Sequence, residues 1–327
     1  MQKVVYTEVI RSLEINNVDK KWLMMNRRKA IQKITLATGI GMSINPFTFK
    51  VSNISKRIIP SSGEKLPVVG IGTWQTFDVG NDQKRRSELQ MVLEKVHKLG
   101  GSMIDSSPMY GSSEEVVGDL SKQLKFQDDF FYATKVWTSG KQEGIKQMNQ
   151  SFRYMNRDII DLMQIHNLVD WKTHMKTLKD WKESGKIKYW GITHYTNGSH
   201  DRLAEIIKAE SPDFVQFNYA INDRHAERTL LDVAKDHGTA VIINRPFGGG
   251  QLFKWARNKE LPEWCAEYGI SSWAQFFLKY IIAHPAVTCA IPGTGKVEHA
   301  IVNLKAGYHV VEGREFQDKL LKTFKEV

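Results

Sequence analysis

The chain has 327 residues, 41% of them apolar, with a formal net charge of +10. That share of apolar residues supports a full hydrophobic core and excludes a disordered or fibrous chain. The basic residues are spread through helical segments with no long run, so they read as a solvated surface and not as a nucleic-acid footprint. The two cysteines, Cys265 and Cys289, lie in no CxxC and beside no histidine cluster, which excludes a disulfide framework and leaves metal binding unsupported. Cys289, inside Val287-Thr288-Cys289-Ala290-Ile291, reads as an inert thiol on a buried strand.

The first segment, 1–56, stands apart from the rest. Asn26-Arg27-Arg28-Lys29-Ala30-Ile31 precedes a mildly apolar stretch from Ile34 to Ile44, with no charged residue between Lys33 and Lys50. Twin arginines before a modest apolar region read as a twin-arginine export signal over 25–50. The stretch is too short and too weakly apolar to span a membrane. Met25 directly precedes the motif and is a second candidate for the translation start. The expectation is an N-terminal extension that engages export machinery and directs the protein to the periplasm. A cytoplasmic location follows if the segment is not a signal. The fold is expected in 57–327.

From Arg57 the pattern becomes regular. Arg57–Pro60 and Lys65–Pro67, joined by Ser-Ser-Gly-Glu, predict a short hairpin. Eight apolar runs of strand length follow: Val68–Gly72, Ser102–Asp105, Phe130–Lys135, Ile160–His166, Ile187–Thr193, Phe214–Tyr219, Ala240–Asn244 and Val287–Ile291. Helical periodicity fills the intervals: Arg85–Leu99, Glu114–Leu124, Gly144–Met155, His174–Ser184, His200–Ala209, His225–His237, Ser272–Ala283 and Val297–Ala306, with a last helix over Gly313–Phe324. Alternating strand and helix imply a parallel sheet covered by helices, and eight units favour a closed (β/α)8 TIM barrel. Gly70-Ile71-Gly72 begins a G-x-G but lacks a third glycine, so the Rossmann fingerprint fails.

Barrel chemistry sits at the C-terminal ends of the strands. Asp105, Lys135 and His166 end the second, third and fourth strands, and Tyr110 lies in the loop after the second. A carbonyl accepts hydride at carbon only if its oxygen gains a proton. Tyr110 is the donor, Lys135 lowers its pKa, Asp105 holds the lysine, and His166 orients the carbonyl oxygen. Taken singly, each has a dull alternative as a cap, a surface charge or a packing residue. Their place on successive strand ends gives the set its weight.

The stretch Gly100-Gly101-Ser102-Met103-Ile104-Asp105-Ser106-Ser107-Pro108-Met109-Tyr110-Gly111 resembles the Asp and Tyr motif of the aldo-keto reductase family. Ala133-Thr134-Lys135-Val136-Trp137 is similar to its lysine segment, Asp161–Asn167 to its histidine segment, and Gly70-Ile71-Gly72-Thr73-Trp74 to its first strand end. The likeness runs over about 57–307. It implies a Tyr general acid tuned by a Lys–Asp pair, a nicotinamide cofactor, no metal, and a small carbonyl substrate. By the same resemblance Trp74, Trp137 and Asn167 line the substrate mouth. Thr73, Thr193, Gln216, Asn244, Arg245, Gly293, Thr294, Lys296 and Asn303 hold the cofactor.

Several positions depart from the family pattern. Thr193-His194 stands where a Ser-Asn pair is usual, and Asn244 replaces a stacking Tyr. Gly293 and His299 replace Lys and Arg, and Val302 replaces a Glu near adenine. Arg245 and Gly248-Gly249-Gly250 offer a cation and free amides to a pyrophosphate. Lys296, at a helix start, offers the local cation for a 2′-phosphate. NADP is the expected cofactor, with NAD open. Two further readings remain: a nicotinamide-binding sensing module without significant turnover, and a cofactor-free isomerase on the same acid–base group.

Overall fold

The computed structural model describes residues 54–327. The expected export segment, 25–50, lies outside the described residues. A hairpin of β1 (Lys56–Ile58) and β2 (Lys65–Pro67) comes first, with Arg57 opposite Leu66. The alternation then follows chain order: β3 (Ile71–Gly72), α1 (Gln83–Lys98), β4 (Met103–Asp105), α2 (Ser113–Gln123), β5 (Phe131–Val136), α3 (Lys141–Tyr154) and β6 (Ile160–His166). After β6 come α4 (Trp171–Glu183), β7 (Ile187–Thr193), α5 (His200–Glu210), β8 (Phe214–Asn218), α6 (Leu230–Asp236) and β9 (Ala240–Asn244). The last elements are α7 (Gln251–Trp255), α8 (Trp273–Ile282), β10 (Val287–Ala290), α9 (Val297–Lys305) and α10 (Arg314–Glu326).

The strands β3 to β10 form one eight-stranded sheet in sequential order, and all its ladders are parallel. The ring closes through isolated parallel bridges, Val69 with Ala290 and Gly72 with Gly293. Backbone bonds from Gly70 to Ala290 (2.9 Å) and from Gly72 to Pro292 (3.2 Å) join the first strand to the segment after the last. This is the (β/α)8 barrel that the alternation predicts. Its first strand is far shorter than the expected Val68–Gly72. Just before it, Gly70 lets the chain approach Met103 so closely that a Cβ would lie 2.8 Å from that residue's backbone and side chain.

Alternation along each strand divides the core in two. Outward residues such as Ile104, Met163, Ile192 and Val215 join the large cluster against the helices. Inward residues such as Met103, Ala133, Leu162, Phe214 and Ile242 form a second, smaller cluster with Ile59 and Leu66 of the hairpin. The hairpin therefore plugs the N-terminal end of the bore. Ile54 is also buried and Ser55 N–H donates to Gly307 at 2.8 Å, so the ordered body begins before the expected residue 57.

Helix α1 shows why the outer ring forms. Leu89, Val92, Leu93 and Val96 recur at helical spacing and are all buried, while the Asp82 side chain caps the start by accepting from Arg85 N–H. Three expected helices differ, and the third starts early, at Lys141. The fourth starts at Trp171, directly after a loop whose Asn167, Leu168 and Asp170 all have positive φ. The sixth breaks into a 3-10 turn over His225–Arg228 and a short α6, because Thr229 leaves helical geometry at φ −154°.

Candidate active site

The inward face changes chemistry as it approaches the C-terminal mouth. Two residues along, Met103 gives way to Asp105, Ala133 to Lys135, Phe214 to Gln216 and Ile242 to Asn244, while Leu162 is followed by Gln164 and His166. An apolar bore thus ends in a polar layer. All four expected catalytic residues lie in or beside that layer.

Lys135 is completely buried, and its Nζ donates to Asp105 Oδ1 at 2.6 Å and to the Ser106 carbonyl at 2.6 Å. Burial alone pushes the ammonium down. The Asp105 charge and the Tyr110 hydroxyl outweigh that, and the lysine is held above its ordinary value. Its Nζ sits 5.1 Å from the centroid of the Tyr110 ring. Burial raises the Tyr110 phenol, Lys135 opposes the rise, and Asp105 adds to it. Lys135 therefore lowers this pKa as expected, but burial outweighs it and the net direction is upward. Desolvation wins because the phenol is enclosed and the lysine charge is largely neutralised by Asp105.

His166 packs edge-on against the Tyr110 ring at 5.8 Å and lies 6.4 Å from Trp137. Burial, then the charges of Lys135 and His194, lower its pKa to about 3, so the imidazole is neutral. Ser107 Oγ lies 3.0 Å from His166 Nδ1 and accepts from Met109 N–H. With the ring proton on Nε2, Nδ1 accepts the Ser107 hydroxyl hydrogen and Nε2–H is left to face a ligand. Sequence reading missed Ser107, although it lies between Asp105 and Tyr110 in the same loop.

Asp105 Oδ2 accepts from Gln164 Nε2 and Gln216 Nε2, both at 3.0 Å. Gln164 was also missed. Its two-residue spacing before His166 puts it on the same inward face, which is the signal that finds it. Gln216, expected to bind a carboxamide, also donates to Gln164 Oε1 at 3.2 Å and accepts from Asn244 Nδ2 at 3.3 Å. Thr73 Oγ1 contacts the Asp105 carbonyl (3.1 Å) and Ser106 Oγ (3.0 Å), which ties the first strand to the layer. Thr193 is buried at the end of β7 and pairs in register with His166 and Gln216.

The expected pocket residues frame this layer. Trp74 and Trp137 are 54% and 42% exposed, so neither serves as buried packing. Asn167 Oδ1 and Asn244 Oδ1 are buried with no protein partner. Both are acceptors at the ends of β6 and β9, and they fit a ligand that brings N–H donors. Arg245 is exposed, with its guanidinium 5.7 Å over the Tyr195 ring and beside Gly249. Gly248, Gly249 and Gly250 all have positive φ, a conformation that favours glycine.

The remaining expected cofactor residues lie apart, around the start of α9. Gly293 and Lys296 are exposed and Thr294 is buried, with its Oγ1 accepting from Lys296 N–H at 3.1 Å. Asn303 is buried and lines a small cavity with Gly70 and Thr294. The α9 start has no side-chain cap. Amide-seeking acceptors at the mouth and a cation at a helix N-terminus suit the two ends of a dinucleotide. Among the described residues no cluster of three metal-ligating side chains occurs.

A closed parallel barrel with an Asp–Lys–Tyr–His group at its C-terminal mouth defines a class of barrel oxidoreductases. The family model described as Aldo/keto reductase family matches residues 68–318, and the chain belongs to that family. A methylglyoxal reductase, YeaE, of Escherichia coli is 27% identical over 259 residues, covering 76% of this chain and 89% of the relative. An aldo/keto reductase from Klebsiella pneumoniae, solved in complex with NADP and acetate, superposes with a TM-score of 0.70 at 23% identity. That alignment covers 83% of this chain and 96% of the other. The holo form of a Bacillus halodurans aldo-keto reductase gives a TM-score of 0.67 at 21% identity, covering 83% and 96%.

Proposed function

We propose that the protein reduces a small aldehyde or ketone with NADPH, and that Tyr110 is its general acid. One observation carries this reading: a buried lysine, held by Asp105 at 2.6 Å, stands beside a half-buried Tyr110 that packs against a neutral His166. The bound nicotinamide supplies the hydride to the carbonyl carbon. His166 Nε2–H and the Tyr110 hydroxyl converge on the carbonyl oxygen and orient it. Tyr110 keeps its proton until negative charge develops on that oxygen, and then donates it. Lys135 stabilises the phenolate that remains, and Asp105 fixes the lysine.

Asn167, Gln216 and Asn244 are the groups for the carboxamide end, and Arg245 with the glycine loop serves the pyrophosphate. Thr294, Lys296 and Asn303 serve the adenosine end. The exposed Lys296 favours a 2′-phosphate and hence NADPH over NADH. The N-terminal Arg27-Arg28 segment supports export in the folded state. Cell fractionation of the full chain and of an Arg27→Lys/Arg28→Lys variant tests that route, and an unchanged periplasmic share in the variant overturns it.

The decisive experiment titrates the full-length protein with NADPH and with NADH by nucleotide fluorescence. It then follows aldehyde-dependent NADPH oxidation in wild type, Tyr110→Phe and Lys135→Met. The expected result is tighter binding of NADPH, retained by Tyr110→Phe, with oxidation lost in both variants. Undiminished oxidation by Tyr110→Phe removes Tyr110 as the acid. No binding of either nucleotide overturns the reductase reading as a whole.

A further inference from the structure

Beyond Gln216, the inner face of β8 continues to Asn218 and enters a second polar network. Asn218 Nδ2 donates to Asp223 Oδ2 (2.7 Å) and Asn197 Oδ1 (2.6 Å), and Asn197 Nδ2 donates to Asp223 Oδ1 (2.8 Å). Asn218 Oδ1 can only accept, so its 3.0 Å contact with His200 Nε2 is His200 donating. Burial keeps His200 neutral and leaves a lone pair on its Nδ1. The 3.1 Å contact between the two Nδ1 atoms then requires His225 to be the donor. The tautomer of His225 is fixed through this chain, and its Nε2 is the nitrogen left to accept or bind a proton.

His225 lines an open cavity of about 540 Å³ whose wall also includes Asn222, Arg224 and Arg228. The carboxylates on this wall already have donors. Asp223 takes the two asparagine amides, and Glu227 takes Tyr219, Tyr280 and Arg224. Arg228 is exposed and makes no ion pair among the described residues. The cavity thus offers a guanidinium, an amide and an imidazole nitrogen with a lone pair. A carboxylate satisfies the first two. A phosphate monoester monoanion satisfies all three, since it carries anionic oxygens together with a P–OH, and its pKa of about 6 keeps it populated near neutral pH.

We propose that this cavity is a phosphate subsite that anchors the tail of a phosphorylated carbonyl substrate. Arg228 and Asn222 take the charged oxygens, and His225 Nε2 takes the P–OH hydrogen. The substrate role rests on the reductase reading above. Continuity with the mouth supports it: Asn218, two residues past Gln216 on the same face, leads through His200 to His225 on the cavity wall, and Gln216 itself touches Asp105.

Two measurements on the full-length protein test the subsite separately from the reductase reading. The first is a calorimetric titration with inorganic phosphate. Saturable binding is expected in wild type and in the surface control Arg314→Ala, and about tenfold weaker binding in Arg228→Ala and His225→Leu. Absent binding, or equal binding by all four proteins, overturns the site. The second compares NADPH-dependent reduction of glyceraldehyde and glyceraldehyde 3-phosphate. Arg228→Ala is expected to raise KM about tenfold for the phosphorylated aldehyde alone, with kcat unchanged, as befits the loss of one charge-assisted contact. Equal effects on both aldehydes, with phosphate binding lost in the first measurement, overturn the substrate role and leave free phosphate as the ligand. If wild type turns over neither aldehyde, the reductase reading fails while the titration still decides the cavity.

Discussion

Gln216 and Asp105 meet across the bore of the barrel. Gln216 Nε2 donates to Asp105 Oδ2 at 3.0 Å, although β8 and β4 are four strands apart in the eight-stranded ring and so face each other. The side chain expected to read a carboxamide is also a brace for the catalytic carboxylate. Gln216→Leu removes that brace and strands the Asn244 amide. It is expected to lower stability by about 1–3 kcal/mol, the cost of leaving buried polar groups unpaired, and to reduce kcat as well as nucleotide affinity. Chemical denaturation with parallel kinetics checks this. Loss of affinity with full stability and full kcat would mean that Gln216 acts on the ligand alone.

Lys135 and Asp105 carry opposite charges in a site shielded from water. Lys135→Met leaves Asp105 buried without its counter-charge, at a cost of about 3–5 kcal/mol. The double variant Lys135→Met/Asp105→Leu is expected to recover much of that stability while remaining inactive. A double-mutant cycle read by urea denaturation decides the point. Simple additivity of the two single effects contradicts it.

His166 gives the protein a pH signature. Its folded pKa of about 3 lies below the ordinary value of 6.5, so the unfolded chain binds more protons between those two values. Stability from this group is complete above about pH 6.5, falls as the pH drops, and is lost through the folded pKa near 3. His166→Asn is expected to flatten that part of the stability curve. Denaturation midpoints measured from pH 4 to 8 test it. A wild-type curve matching the variant's in slope contradicts a neutral buried imidazole.

Arg57 ties the hairpin to the far end of α8. Its guanidinium donates to the carbonyls of Ile282 (2.6 Å) and His284 (2.8 Å), to that of Val287, and to Glu312. Arg57→Ala is expected to cost about 2–3 kcal/mol, because charged hydrogen bonds to several backbone acceptors are lost together. Arg57→Lys is expected to recover little, since an ammonium lacks the planar fork. Thermal unfolding of both variants reads the effect, and full rescue by lysine contradicts it.

The barrel and the gathering of its candidate catalytic group were legible in the sequence because both follow from local pattern. Apolar runs of strand length and period-3.6 spacing marked strands and helices, and strand ends marked the mouth. What stayed hidden depends on the third dimension. Gln164 and Gln216 reach Asp105 from other strands, one of them across the bore. Ser107 pairs with His166 Nδ1 from the neighbouring loop. The break at Thr229 and the start of α4 at Trp171 are set by loop conformation, and periodicity does not report it. The lowering of the Tyr110 pKa by Lys135 was legible as a nearby cation, but the larger opposing effect of burial was not, because the sequence does not show how the phenol is enclosed.

The ring of strands closes at β3, its shortest member, through two isolated bridges to the segment around Ala290–Gly293. That segment leads straight into Thr294 and Lys296, the proposed seat of the nucleotide's far end. Under the proposed function, a dinucleotide lying from the mouth to this seat would fasten that join of the wall. Saturation at about a hundredfold excess over Kd would add about 2.7 kcal/mol. The nucleotide would then be part of what holds the barrel shut, and resistance to heat would record whether the protein is loaded.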